Sequence, residues 1–140
     1  MKRKLFIASV VIILGTPLLL LGRWAYENNQ VVSRARELQL EISRYPGATF
    51  QQKYHSITNL GYGEIYSVND DPEEVLSFFK STVSSPWQYK DRVDVSNSKA
   101  LVYKYQDFTL DISVGTGKPD FSSAKPPYNL YIDISQVPGQ

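Results

Sequence analysis

The sequence predicts an α+β protein. An N-terminal transmembrane helix and helical stalk lead into a two-layer sandwich, in which one main helix covers an antiparallel sheet in the order ββ-α-ββββ. Three observations carry this. Lys2, Arg3 and Lys4 precede an almost unbroken apolar run, Leu5 to Leu21, the pattern of a membrane-targeting N-terminus whose cations stay in the cytoplasm. Asn69-Asp70-Asp71-Pro72-Glu73-Glu74 spells a helix start. Around it, stretches that alternate apolar and polar residues recur between short polar turns, as half-buried strands do.

The apolar run lies at the short end of what spans a bilayer and is long for the core of a cleaved signal. The best peptidase site follows Ala25, but Arg23 stands at its −3 position, where a small residue is needed. The chain has no cysteine, which excludes a lipid-bearing Cys. Arg23, Trp24 and Tyr26 read as an interfacial belt of one snorkelling cation and two amphipathic rings. These signs favour an uncleaved anchor over residues 1–23, with the N-terminus cytoplasmic and the rest of the chain extracytoplasmic. Pro17 sits inside the run and predicts a kink.

Residues 24–45 read as a helical stalk. Tyr26 to Arg44 lacks Gly and Pro, and Val31, Ala35, Leu38 and Ile42 fall on one narrow stripe. The stripe either packs on the domain or extends the membrane helix. Pro46-Gly47 stops the helix and opens a domain over residues 46–140.

In that domain Thr49 to Ser56 predicts a strand with Phe50, Gln52 and Tyr54 on one face. Tyr62 to Val68 predicts a second, of ambiguous facing. Asp71 suits an N-cap, Pro72 the first helical position, and Glu74 the third residue of a capping box; Val75, Leu76, Phe79 and Val83 then form one apolar face. Four strands follow. Trp87 to Val95 is expected to turn Tyr89, Val93 and Val95 inward, with a turn at Asn97-Ser98. Leu101, Tyr103 and Tyr105 alternate against Val102 and Lys104. Phe108, Leu110, Ile112 and Val114 alternate against Thr109, Asp111 and Ser113. After a polar loop, Gly115 to Pro127, the last strand sets Tyr128, Leu130, Ile132 and Ile134 against Asn129, Tyr131 and Asp133.

Charge narrows the partners. Lys2, Arg3, Lys4 and Arg23 belong to the anchor, so eleven basic residues remain against fourteen acids, a net charge near −3. Nucleic acid and anionic lipid surfaces call for a basic footprint, so neither is expected as a partner of the domain. Without cysteine there is no thiolate nucleophile and no zinc–sulfur site.

No catalytic, cofactor-binding or metal constellation is assigned. His55 is the sole histidine, and a surface histidine accounts for it. Gly115-Thr116-Gly117-Lys118 has the look of a phosphate loop, but lacks the four-residue gap and the following Ser/Thr; a hairpin loop accounts for it. Asp70, Asp71, Glu73 and Glu74 lack the spacing of a calcium loop, and capping with dipole complementarity accounts for all four. Asp111 and Asp133 lie on polar strand faces, where carboxylates can pair for acid–base work; solvated strand faces are the commoner use. Tyrosines suit interfaces. Tyr131, Tyr103, Tyr105 and Tyr128, with Lys118 and Lys125 of the long loop, form the expected contact surface.

The segment Asp70-Asp71-Pro72-Glu73-Glu74-Val75-Leu76-Ser77-Phe78-Phe79-Lys80, the later Trp87 and the upstream Pro46-Gly47 carry a resemblance. The chain resembles small bacterial envelope proteins, membrane-anchored or lipoprotein-like, with a D-x-P-E-E-V-x-x-F-Y-K helix followed by Gly-Trp. Phe79 replaces the Tyr, Pro86 replaces the Gly, and a transmembrane anchor stands in for the lipidated Cys. The likeness covers about two thirds of the chain, and its motifs are cap, core and turn. It implies an envelope location and an α+β fold, and brings no active site with it.

The expectation is a non-enzymatic, single-pass membrane protein whose extracytoplasmic domain contacts a protein partner, as an accessory or assembly factor of a membrane complex would. The alternative is a module that binds envelope glycan or a small molecule on a tyrosine-bearing sheet face, in a concave aromatic groove. An enzyme would require Asp111, Asp133 and His55 to converge.

Overall fold

The computed structural model describes residues 2–56, 60–116 and 125–136, residues 2–20 and 56 by their backbone alone. Helix α1 spans Lys2–Leu40 and α2 spans Pro72–Thr82. The strands are β1 (Thr49–Ser56), β2 (Gly61–Val68), β3 (Gln88–Val95), β4 (Ser98–Tyr105), β5 (Phe108–Gly115) and β6 (Tyr128–Gln136). All six form one antiparallel sheet in the order β1-β2-β6-β5-β4-β3. The chain enters at one edge with the β1–β2 hairpin and crosses through α2 to the far edge. It then returns strand by strand until β6 closes against β2.

Among the described residues no helix is long and apolar enough to cross a membrane. The run Leu5 to Leu21 falls almost wholly on the residues described by backbone alone.

The element order ββ-α-ββββ is as the sequence predicts, but the covering layer holds two helices rather than one. The end of α1 packs on β2 and β6, and α2 packs on β5 and β4. The stripe of the expected stalk therefore belongs to the core: Ala35, Leu38 and Ile42 are buried, with Val31 packed at its margin. They meet Tyr62, Tyr66 and Val68 of β2 and Leu130, Ile132 and Ile134 of β6, while Val75, Leu76 and Phe79 of α2 meet the inward residues of β4 and β5. Removal of this apolar surface from water is the main stabilising term. Tyr45 seals the seam, its ring edge-on to Phe78 at 5.3 Å.

Helix α2 starts where its sequence predicts, with Asp71 as N-cap and Pro72 first, but the cap bond runs to Glu73 rather than closing a box with Glu74. Asp71 accepts from the Glu73 N–H at 2.8 Å, Pro72 fills the first turn, and Val83 closes the C-terminus. Glu73, however, does more than complement the helix dipole. Arg92 of β3 donates to both its carboxylate oxygens, at 2.9 and 2.6 Å, and Lys99 of β4 donates at 2.6 Å. These bonds hold the carboxyl well below its usual range, at about 2, and pin the helix start to the β3–β4 hairpin.

Both edge strands carry an extra residue. In β1, Phe50 faces Tyr66 but Gln52 faces Ile65, so Gln51 is a bulge. In β3, Tyr89 faces Tyr103 but Asp91 faces Val102, so Lys90 is a bulge. A one-residue insertion reverses which residues point inward. Hence Phe50 lies on the helix side while Gln52 and Tyr54 lie on the other. Likewise Val93 and Val95, expected inward, face away from the helices and are 45% and 54% exposed. The β3–β4 turn is Ser96-Asn97, between the paired Val95 and Ser98. The β4–β5 turn is Gln106-Asp107, with Gln106 at φ 54°.

Candidate functional site

With both helices on one side, the other side of the sheet is open, and its residues come from alternate positions of all six strands. One cross-sheet row reads Tyr54, Gly63, Asp133, Asp111, Val102, Asp91. The neighbouring rows bring Gln52, Ile65, Tyr131, Ser113, Ala100 and Val93 on one side, and Ser135, Thr109 and Lys104 on the other. Small hydroxyl residues and glycines keep the centre low. A hollow of about 460 Å³ lies there, floored by Thr109, Asp111, Ser113, Asp133 and Ser135 and bounded by the rings of Tyr54 and Tyr131. A second hollow, of about 620 Å³, adjoins across Tyr131 and is lined by Gln51, Gln52, Ile65, Ser67, Pro127 and Asn129.

Tyr54 is positioned by an absence of side chain. A Cβ on Gly63 would stand 2.4 Å from the Tyr54 ring. Only glycine at 63 lets the ring from the edge strand lie across β2 and reach Asp133. The hydroxyl donates to Asp133, and burial, with the charge of Asp133 second, pushes the Tyr54 pKa up.

Asp111 and Asp133 are direct cross-strand partners. Burial raises the pKa of Asp111, the facing charge of Asp133 raises it further, and a hydrogen bond from Ser113 opposes both. Burial also raises Asp133, against the bond from Tyr54. Like-charged carboxyls opposite one another on a half-buried face disfavour the doubly ionised state. Asp133 Oδ1 and Thr109 Oγ1 are buried with no hydrogen-bond partner among the described residues. The floor of the hollow therefore holds a carboxylate oxygen and a hydroxyl that lack partners, beside two aromatic rings. An arriving hydroxyl or N–H would satisfy them.

The expected contact surface does not assemble as one patch. Tyr131 stands on the open face, between the two hollows. Tyr103 is a core residue, 2% exposed, and its hydroxyl donates to the Phe79 carbonyl at 3.4 Å. Tyr105 and Tyr128 pack at the margin of the helix-side core, Tyr105 with its ring edge-on to Trp87. These three share the inward parity of Leu101 and Leu130, so alternation along their strands already carried the signal. Lys125 is exposed beside the start of β6, and Lys118 lies outside the described residues. Arg23, Trp24 and Tyr26 are exposed along α1, with Arg23 bonded to Glu27 at 2.7 Å. The backbone of Lys2, Arg3 and Lys4 is helical.

Of the three residues an enzyme was expected to bring together, Asp111 and Asp133 meet. His55 follows Tyr54 in β1, so it points to the opposite face, where its ring lies 5.6 Å from that of Tyr62. Asp70 of the acidic run takes the hydroxyl of Tyr45, so three of its four acids have assigned structural partners. Sequence reasoning missed Tyr54, Thr109, Ser113 and Ser135, which no motif singles out. Gly63 opposite an aromatic residue was the available signal.

Compared with protein-family models, curated proteins and solved structures, the chain matches none of them.

Proposed function

We propose that the chain is a membrane-anchored binding module of the cell envelope, whose open sheet face holds a polyhydroxylated ligand such as an envelope glycan. The observation that carries the reading is the hollow bounded by Tyr54 and Tyr131 and floored by Asp111, Asp133 and three hydroxyl residues. Sugars present many O–H donors and a weakly apolar C–H face. The unpartnered Asp133 Oδ1 and Thr109 hydroxyl suit the first, and the two rings suit the second. The site is more polar than the aromatic groove expected for such a module. Lys2, Arg3 and Lys4 before Leu5 to Leu21, with Arg23, Trp24 and Tyr26 after it, support a single-pass anchor with a cytoplasmic N-terminus. In this reading the domain faces envelope glycans.

The test is binding of the full chain, in detergent micelles, to soluble oligosaccharides released from envelope glycan. Tyr131→Ala and Asp133→Asn should each weaken binding by about tenfold or more while the fold is retained. Unchanged affinity in both variants would sink the reading. Release of new reducing ends during incubation would make the acid pair catalytic instead. Recovery of the chain in carbonate-washed membranes is the expected result for the anchor.

A protein partner is the second reading. It is favoured by Val93 and Val95, which lie exposed on the same face at the β3 edge beside Ala100. Val93→Glu would then break a complex captured by crosslinking, and would leave glycan binding intact.

A further inference from the structure

A separate cavity lies on the helix side, where α1 ends against the sheet. Its volume is about 250 Å³, and Gln39, Ile42, Arg44, Glu64, Tyr66 and Ile132 line it. Gln39 is one helical turn beyond Ala35, so it enters the core face of α1 together with Leu38. It is 5% exposed, and its side-chain carbonyl oxygen has no hydrogen-bond partner among the described residues. A buried amide acceptor without a donor is rare in a finished core and needs a cause.

The other polar groups around the cavity differ in charge. Glu64 projects from β2 among buried neighbours. The Tyr62 hydroxyl donates to its Oε1 at 2.9 Å, and the Tyr66 hydroxyl donates to Oε2. A carboxylate has about four acceptor positions, so two bonds leave it able to take more. Arg44 stands at the rim, and its positive charge lowers the pKa of both tyrosine hydroxyls against the larger effect of burial. Ile42 and Ile132 supply an apolar wall. The cavity is thus a small chamber with an unused amide acceptor, a carboxylate with spare lone pairs, a cation and a greasy side. Its size falls below the usual range of drug-sized sites, which suits a small metabolite.

We propose that this cavity binds a small zwitterion of the class of a free α-amino acid. The ammonium group donates to Gln39 Oε1 and Glu64, the carboxylate meets the Arg44 guanidinium, and the side chain lies on Ile42 and Ile132. Such a ligand uses each otherwise unexplained feature once: the orphaned oxygen, the spare carboxylate capacity and the rim cation. This inference is independent of the open face.

The experiment is thermal unfolding of the full chain in detergent with the standard free L-amino acids added one at a time at millimolar concentration. Controls are the N-acetyl and carboxamide derivatives of any amino acid that acts. Binding raises the melting temperature in proportion to ligand excess. The expected result is a rise with at least one free amino acid, absent with both of its derivatives. The rise should also be lost in Gln39→Met and in Arg44→Met. Arg44 is exposed, so its variant folds, and Gln39→Met replaces an amide with an unsatisfied oxygen by an apolar side chain of similar length. No rise with any amino acid overturns the proposal. So does an equal rise with either derivative, or a rise that persists in either variant.

Discussion

The two faces of the sheet are built from the same strands yet treat polarity in opposite ways. In β6, Leu130, Ile132 and Ile134 are buried against the helices, while their neighbours Asn129, Tyr131, Asp133 and Ser135 are half-buried on the open side. The carboxylates differ just as sharply. Glu73, at the start of α2, is gripped by Arg92 and Lys99 and held at about 2. Asp111 and Asp133 face each other and sit above their ordinary value. An acid that joins two elements is matched with cations. The open-face acids are set against each other, with one buried oxygen left unbonded. Arrangements that cost stability and serve no packing role are where ligand binding is to be sought.

The largest contrast should come from adjacent residues of β6. Ile132→Ala removes a buried side chain between the sheet and α1 and should cost about 2–5 kcal/mol. Tyr131→Ala should cost far less while weakening open-face binding by about tenfold or more. Urea unfolding measures both; equal losses of stability would mean that Tyr131 is packing rather than site. Next comes Gly63→Ala, whose Cβ would meet the far end of the Tyr54 ring. The ring can swing outward from its edge strand, so the expected cost is about 1 kcal/mol. Loss of the Tyr54–Asp133 bond would be visible as a changed Tyr54 ring resonance.

The acids should have opposite pH signatures. For Glu73 the folded-state pKa is depressed from 4.5 to about 2. Its contribution is present above 4.5 and is lost as pH falls towards 2. For Asp111 and Asp133 the folded-state values are raised above 3.8. Their effect is most favourable to the folded state below 3.8, and stability falls as pH rises through the raised values. Glu73→Gln should therefore lower stability at neutral pH by about 1 kcal/mol, since the group is half exposed and screened, and should flatten the acid limb. Asp111→Asn should raise it at neutral pH by up to about 1 kcal/mol by removing a like-charge cross-strand pair. Chemical unfolding across a pH series separates the two; slopes of the same sign would refute the contrast. The smallest effect is expected in the β4–β5 turn. There Gln106→Gly relieves a positive φ, and about 0.5–1 kcal/mol of stabilisation should appear as a higher urea midpoint.

The parts of this contrast that were legible in the sequence are local. The Asp71-Pro72 start of α2 and the alternation of β5 and β6 are written in consecutive residues, and the structure follows them. The stripe Ala35, Leu38, Ile42 was also visible, but whether it packed on the domain depended on which sheet face lay open. Edge-strand facing was not legible, because one bulged residue in β1 and another in β3 reverse parity with no signature of their own. The pairing of Asp111 with Asp133 requires that β6 lie next to β5 in one particular register, and that is a property of the closed sheet. The grip of Arg92 on Glu73 depends on two segments meeting that are far apart in the chain. Tyr103 was placed on the contact surface because tyrosine suits interfaces, although its alternation with Leu101 put it inside.

Helix α1 is continuous from its exposed stretch at Arg23 to Leu40, and its last turns are fixed to β2 and β6. There is no swivel between them. The sheet and the exposed stretch therefore share a rotational phase: each residue inserted between Tyr26 and Val31 would turn the open face by about 100° about the helix axis and shift it by about 1.5 Å. A single insertion re-aims the open face while leaving every contact within the domain untouched. Insertions of three or four residues leave it about 40–60° from its starting direction, so that the aim of the open face is encoded in the length of one helix.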